Sequence, residues 1–126
     1  MPEDLDVVLV VDDAAVSGAL KFLLEVEGFS VALSDSFVAA SNDPKLTHCR
    51  CIVVDNGTAT MEGIDLVDRL RARRIATPVI LLAGLPNAEL LGRCATAGIH
   101  SLVQMPILDQ SLLEAVALAL GSHTHT

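Results

Sequence analysis

Aromatic side chains are almost missing from this sequence: three Phe, no Trp and no Tyr among 126 residues. A core must therefore be built from Leu, Val, Ile and Ala, and no aromatic is placed to stack on a flavin. Cations are scarce as well. Eight Lys and Arg stand against sixteen Asp and Glu, a net charge of −8. That balance argues against nucleic acid or an anionic membrane surface as a partner, since both need basic patches. No apolar run approaches the roughly 20 residues that span a bilayer, and the acidic start Met1-Pro2-Glu3-Asp4 is not a signal peptide. Three cysteines cannot all pair, and nothing implies an oxidising compartment. Glycine is absent between Val11 and Gly18, which weighs against a dinucleotide or phosphate loop there. These absences leave a single cytoplasmic domain, and a hydrophobic share of 52% is too high for a disordered one.

What is present is organised around Cys51-Ile52-Val53-Val54-Asp55-Asn56-Gly57, an apolar run ending in one carboxylate and a turn. Such a run reads as a strand buried on both faces of a parallel sheet. Val7 to Val11 ends the same way, in Asp12-Asp13. Further strands are expected at Phe29–Leu33, Val79–Ala83 and Leu102–Gln104. Helices are expected from Val16 to a stop at Gly28, briefly over Ser36–Ser41 and ended by Asn42-Asp43-Pro44, over Gly63–Arg73, and over Pro86–Ala97 with Gly98 as its stop. A final helix should be capped by Asp109 and stopped by Gly121. Five strands alternating with five helices make a flavodoxin-like, doubly wound (βα)5 three-layer sandwich, with a parallel sheet of order 2-1-3-4-5. Residues 1–121 form the domain, and 122–126 a loose tail. The switch point of that order lies between strands 1 and 3, so Asp12, Asp13 and Asp55 are expected in one cluster at their carboxyl ends. Oxygen-rich sites of this kind suit Mg²⁺.

The acid pair, Asp55 with Gly63 eight residues later, Pro78-Val-Ile-Leu-Leu, and Gly98 leading to a strand and Pro106 together resemble the receiver domain of two-component response regulators. The resemblance covers nearly the whole chain. It implies that Asp13, Asp55 and the backbone carbonyl of Gly57 hold Mg²⁺, with Asp12 acting through that metal's waters. It implies that Asp55 accepts a phosphoryl group from a histidine kinase or phosphotransfer protein. It also implies a phosphorelay protein, with a homodimer through the fourth helix, last strand and last helix as one mode of contact. No output domain is read after Gly121, so a stand-alone protein signalling by protein–protein contacts is expected. Three switch positions are degenerate: Ala83 replaces the family's hydroxyl residue, Met105 its Lys and Leu102 its aromatic. Thr58-Ala59 replaces its Met-Pro. Ala and Met supply no hydrogen-bond donor for a phosphoryl group. A receiver that works as an interaction module without phosphorylation is the alternative.

An enzyme such as an aspartate-nucleophile phosphatase is disfavoured, because the acids on the first strand are adjacent rather than spaced Asp-x-Asp. His48, Cys49, Cys51 and Cys94 lack the paired spacing of a zinc site, so Cys51 is read as core and His48 as loop. The run Arg69–Arg74 is read as cations at a helix C-terminus, standing in water. His123 and His125 are read as tail residues. Ser17 and Ser34 have no paired His for a nucleophilic triad.

Overall fold

A computed structural model describes residues 5–34, 40, 42–56, 62–107 and 109–124. The strands are β1 (Leu5–Val10), β2 (Val31–Ser34), β3 (Cys49–Asp55), β4 (Val79–Ala83) and β5 (Ser101–Gln104). The described helices are α1 (Ala14–Val26), α2 (Lys45–His48), α3 (Glu62–Ala72), α4 (Ala88–Ala97) and α5 (Ser111–Thr124). All strand pairs are parallel, in the expected order 2-1-3-4-5.

The unbroken apolar runs of β1, β3 and β4 are explained by burial on both faces. Val8, Val10, Ile52, Val54 and Leu81 point towards α2, α3 and α4, where Leu46, Ile64, Val67, Leu70 and Leu90 meet them. Val7, Leu9, Val53, Ile80 and Leu82 point the other way, onto Leu20 and Leu24 of α1 and Leu112, Val116 and Ala119 of α5. The sheet is thus the middle layer of three. Cys51 is fully buried in it, and burial pushes its thiol up to about 12 and that of Cys49 up to about 11. Both behave as core side chains, while His48 lies exposed in α2. No helix among the described residues is long and apolar enough to cross a membrane.

Several local expectations need correction. The brief helix at Ser36–Ser41 falls almost entirely outside the described residues. A short helix follows Asn42-Asp43-Pro44: the Asp43 carboxylate accepts from Lys45 N–H at 2.9 Å, so this triplet opens a helix. Helix α4 begins after Pro86, not on it, because Asn87 is its cap and accepts from Leu90 N–H at 2.8 Å. Gly98 does end α4, at φ 70°, and Asp109 accepts from Ser111 N–H at the start of α5. That bond holds the Asp109 carboxyl below its ordinary range. Helix α5 runs through Gly121 to Thr124, past the expected stop. A glycine ends a helix by turning left-handed. Gly28 and Gly98 do so, and Gly121 does not.

The arginine run is not uniformly solvated. Arg71 is half-buried, and its guanidinium donates to the carbonyls of Ile75 (2.8 Å), Thr77 (3.0 Å), Ala97 (2.9 Å) and Gly98 (3.3 Å). It ties the end of α3 to the C-terminus of α4, where a cation complements the helix dipole. Loss of hydration lowers its pKa. Beside it, Arg74 closes α3 with φ 64°, and Ile75 N–H bonds back to Leu70 at 2.9 Å. That left-handed position costs a side-chain-bearing residue about 1 kcal/mol. Arg74→Gly should therefore raise stability by up to about 1 kcal/mol, a few degrees in a thermal melt. A lower melting temperature would mean that the Arg74 side chain contributes more than its backbone costs.

Candidate functional site

The carboxyl ends of β1 and β3 are adjacent. Val10 pairs with Val54 in register, so Asp55 at the end of β3 lies level with Val11, and Asp12 and Asp13 follow directly. Neighbouring strands lie about 4.8 Å apart, so the three acids share one edge of the sheet. Asp55 is half-buried, and Asp12 and Asp13 are exposed.

Among the described residues, no group of three or more His, Cys, Asp or Glu is arranged to hold a metal ion. Asp13 is the N-cap of α1, and its Oδ1 accepts from Ala15 N–H at 2.9 Å and Val16 N–H at 3.2 Å. Its second oxygen holds the remaining coordinating capacity. Asp13 and Asp55 offer two carboxylates at adjacent strand ends, the first exposed and the second half-buried. That set suits Mg²⁺, which takes one or two carboxylates and keeps several waters. Gly57, the expected carbonyl donor, lies outside the described residues, as do Thr58 and Ala59.

The other expected positions border the same edge from β4 and β5. Leu82 pairs with Asp55 on one side and Val103 on the other, so Ala83 and Gln104 stand one residue beyond Asp55. Ala83 is buried in the α3/α4-side core and has no donor to offer. Leu102 packs partly against that core, whereas Met105 packs against the α1/α5-side core. The Met105–Pro106 peptide is cis. Sequence reasoning passed over one polar side chain at this edge. Gln104 is exposed, and its amide donates to the Gly84 carbonyl at 3.4 Å.

It also passed over Asn56 as more than a turn residue. Asn56 is only 4% exposed, its N–H donates to Leu82 O at 2.8 Å, and its Oδ1 accepts from Ile64 N–H at 2.9 Å. The amide thus satisfies a donor in the first turn of α3, which the helix cannot satisfy itself. Gly63 makes this contact possible. A Cβ there would lie 2.7 Å from Asn56 Cα and 2.9 Å from the Asp55 carbonyl oxygen, both rigid backbone atoms. The glycine eight residues after Asp55 is a packing requirement at the end of β3. Gly63→Ala should force the turn and α3 apart and cost about 1–3 kcal/mol in denaturant unfolding. Gly92→Ala in α4, where a Cβ meets nothing within 4 Å, should instead stabilise by about 0.5–1 kcal/mol. Equal stability of Gly63→Ala and the wild type would refute the close approach.

Comparison with known proteins agrees with this architecture. The family model for the response regulator receiver domain matches residues 7–117. The chain is 31% identical over 121 residues to the transcriptional regulatory protein FixJ of Azorhizobium caulinodans, covering 96% of this chain and 57% of that protein. It is 28% identical over 109 residues to the response regulator protein TodT of Pseudomonas putida, covering 86% of this chain and 48% of that protein. The chain therefore spans about half the length of the curated relatives it matches. Among solved structures, the crystal structure of FixJ-N superposes with a TM-score of 0.81 at 25% identity, covering 99% of this chain and 98% of that one. The response regulator StyR gives 0.82 at 27% identity, covering 97% of this chain and 62% of that one. With the sheet order, the acid-bearing strand ends and a family match across the folded core, the chain belongs to the response regulator receiver domain family of two-component signalling.

Proposed function

We propose that Asp55 accepts a phosphoryl group from the phosphohistidine of a histidine kinase or phosphotransfer protein, and that the domain then signals through protein–protein contacts. The observation that carries this reading is the position of Asp55, at the carboxyl end of the central strand and level with the acid end of β1. Ligand chemistry in open parallel sheets collects at this switch point. Asp55 would act as the nucleophile, and the half-buried strand end restricts its approach to one side. Asp13 and Asp55, with the Gly57 carbonyl, would hold Mg²⁺, and Asp12 would bind its waters. The ion would neutralise charge on the phosphoryl oxygens. The domain is an acceptor rather than an enzyme with a released product.

A second reading is favoured by Ala83, Leu102 and Met105. A charge-assisted hydrogen bond is worth roughly 1.5–3 kcal/mol, and neither Ala83 nor Met105 can make one to a phosphoryl oxygen. A ligand shifts an equilibrium only by its difference in affinity for the two states. A domain without those contacts can work instead as an interaction module, including as a homodimer through α4, β5 and α5, where Leu91 is 51% exposed. One experiment separates the two. The protein is incubated with a small phosphodonor and Mg²⁺, and the adduct is located by mass spectrometry. The acceptor reading expects one phosphoryl group on Asp55, not formed when Mg²⁺ is chelated beforehand and absent in Asp55→Asn. No adduct in the wild type would leave the interaction module. Sedimentation of the same samples tests the homodimer, which is excluded if Leu91→Asp leaves self-association unchanged.

A further inference from the structure

We propose that Asn56 is a positioning residue for the acceptor, tying the turn after Asp55 to α3 so that α3 and α4 report the acceptor's state. The inference rests on the acceptor reading of Asp55. A buried side-chain amide directly beside the nucleophile, bonded across to a helix, is the observation behind it. Asn56 Oδ1 accepts from Ile64 N–H at 2.9 Å, while Asn56 N–H holds Leu82 O at 2.8 Å. With Gly63 closed against the Asp55 carbonyl oxygen, the acceptor, the end of β4 and the start of α3 move as one unit.

From α3 the connection continues by side chains. Arg93 of α4 donates to Asp65 at 2.8 Å and to Asp68 at 2.6 Å, one and four residues beyond Ile64. Arg71 fastens the other end of α3 to the Ala97 and Gly98 carbonyls that close α4. A displacement of the Asp55 turn therefore reaches α4 through α3 at both ends. The β4 and β5 positions, Ala83 and Met105, have no polar group to respond. Energetic coupling needs such a contiguous packed and hydrogen-bonded element.

The test uses beryllofluoride with Mg²⁺ as a phosphoryl mimic on the whole chain, read by amide and arginine side-chain NMR, beside the rate of uptake from a small phosphodonor. In the wild type, the Ile64, Asp65 and Asp68 amides and the Arg93 guanidinium should shift on binding. Asn56→Leu fills the volume but removes the acceptor. It should slow phosphoryl uptake about tenfold or more, as displaced nucleophiles do, and it should lose the α3 and Arg93 shifts. Asn56→Asp keeps an oxygen for Ile64 N–H, at a helix start that favours an anion, and should restore them. Melting curves show whether each variant folds. Shifts that persist in folded Asn56→Leu, or that Asn56→Asp fails to restore, overturn the proposal. If Asn56→Leu does not fold, the wild type decides: an unmoved Ile64 amide with the mimic bound overturns it, and a shift together with restoration in Asn56→Asp supports it. Mimic that fails to bind the wild type overturns both this proposal and the acceptor reading, whereas binding with an unmoved α3 removes this proposal alone.

Discussion

The contact on which the site depends is the closure of α3 onto the end of β3. A buried amide, Asn56, meets a helix N–H, and a missing Cβ at Gly63 lets the two backbones touch. Each part requires the other. Without the glycine the helix stands too far away for the bond, and without the amide the Ile64 N–H is buried beside no acceptor, at a cost of about 1–3 kcal/mol. The surrounding strands, buried on both faces, allow little compensating movement, since close-packed interiors transmit strain rather than absorb it. Asp55 therefore sits on a rigid seat between β1, β4 and α3.

The same edge is uneven in chemistry. On the β1 side are exposed carboxylates, one of which spends an oxygen on the N-terminus of α1. On the β4 and β5 side Ala83 is buried in the core on one face of the sheet and Met105 packs partly buried against the core on the other. The acid side supplies carboxylates of the kind a hard cation attracts. Ala83 and Met105 supply packing and no donor. Polar links from the end of β3 lead through Asn56 to α3, and from α3 to α4 through Arg93 and Arg71.

Much of this was legible in the residues. The runs Val7–Val11, Ile52–Val54 and Val79–Leu82 are apolar at every position, as a doubly covered strand requires, and the acids that end the first two mark the sheet edge. Single-residue geometry was less legible. Asn42-Asp43-Pro44 reads as a stop, and only the Asp43 carboxylate shows that it opens the next helix. Gly121 and Gly98 look alike as letters, and only the left-handed turn at Gly98 ends a helix. Arg71 reads as one solvated cation among several until the loop before β4 and the end of α4 bring their carbonyls to it. Asn56 was passed over because its partner lies across a turn, where no periodicity points.

Native-state amide exchange at Ile64 tests the central claim most directly. Amides in the first turn of a helix ordinarily lack an internal partner and exchange fast. Bonded to a 4%-exposed Asn56, the Ile64 N–H should be protected nearly as well as the amides of β3 and β4, and far better than that of Glu62. Exchange at Ile64 as fast as at Glu62 would show that α3 is not closed onto the acceptor, and would contradict the account.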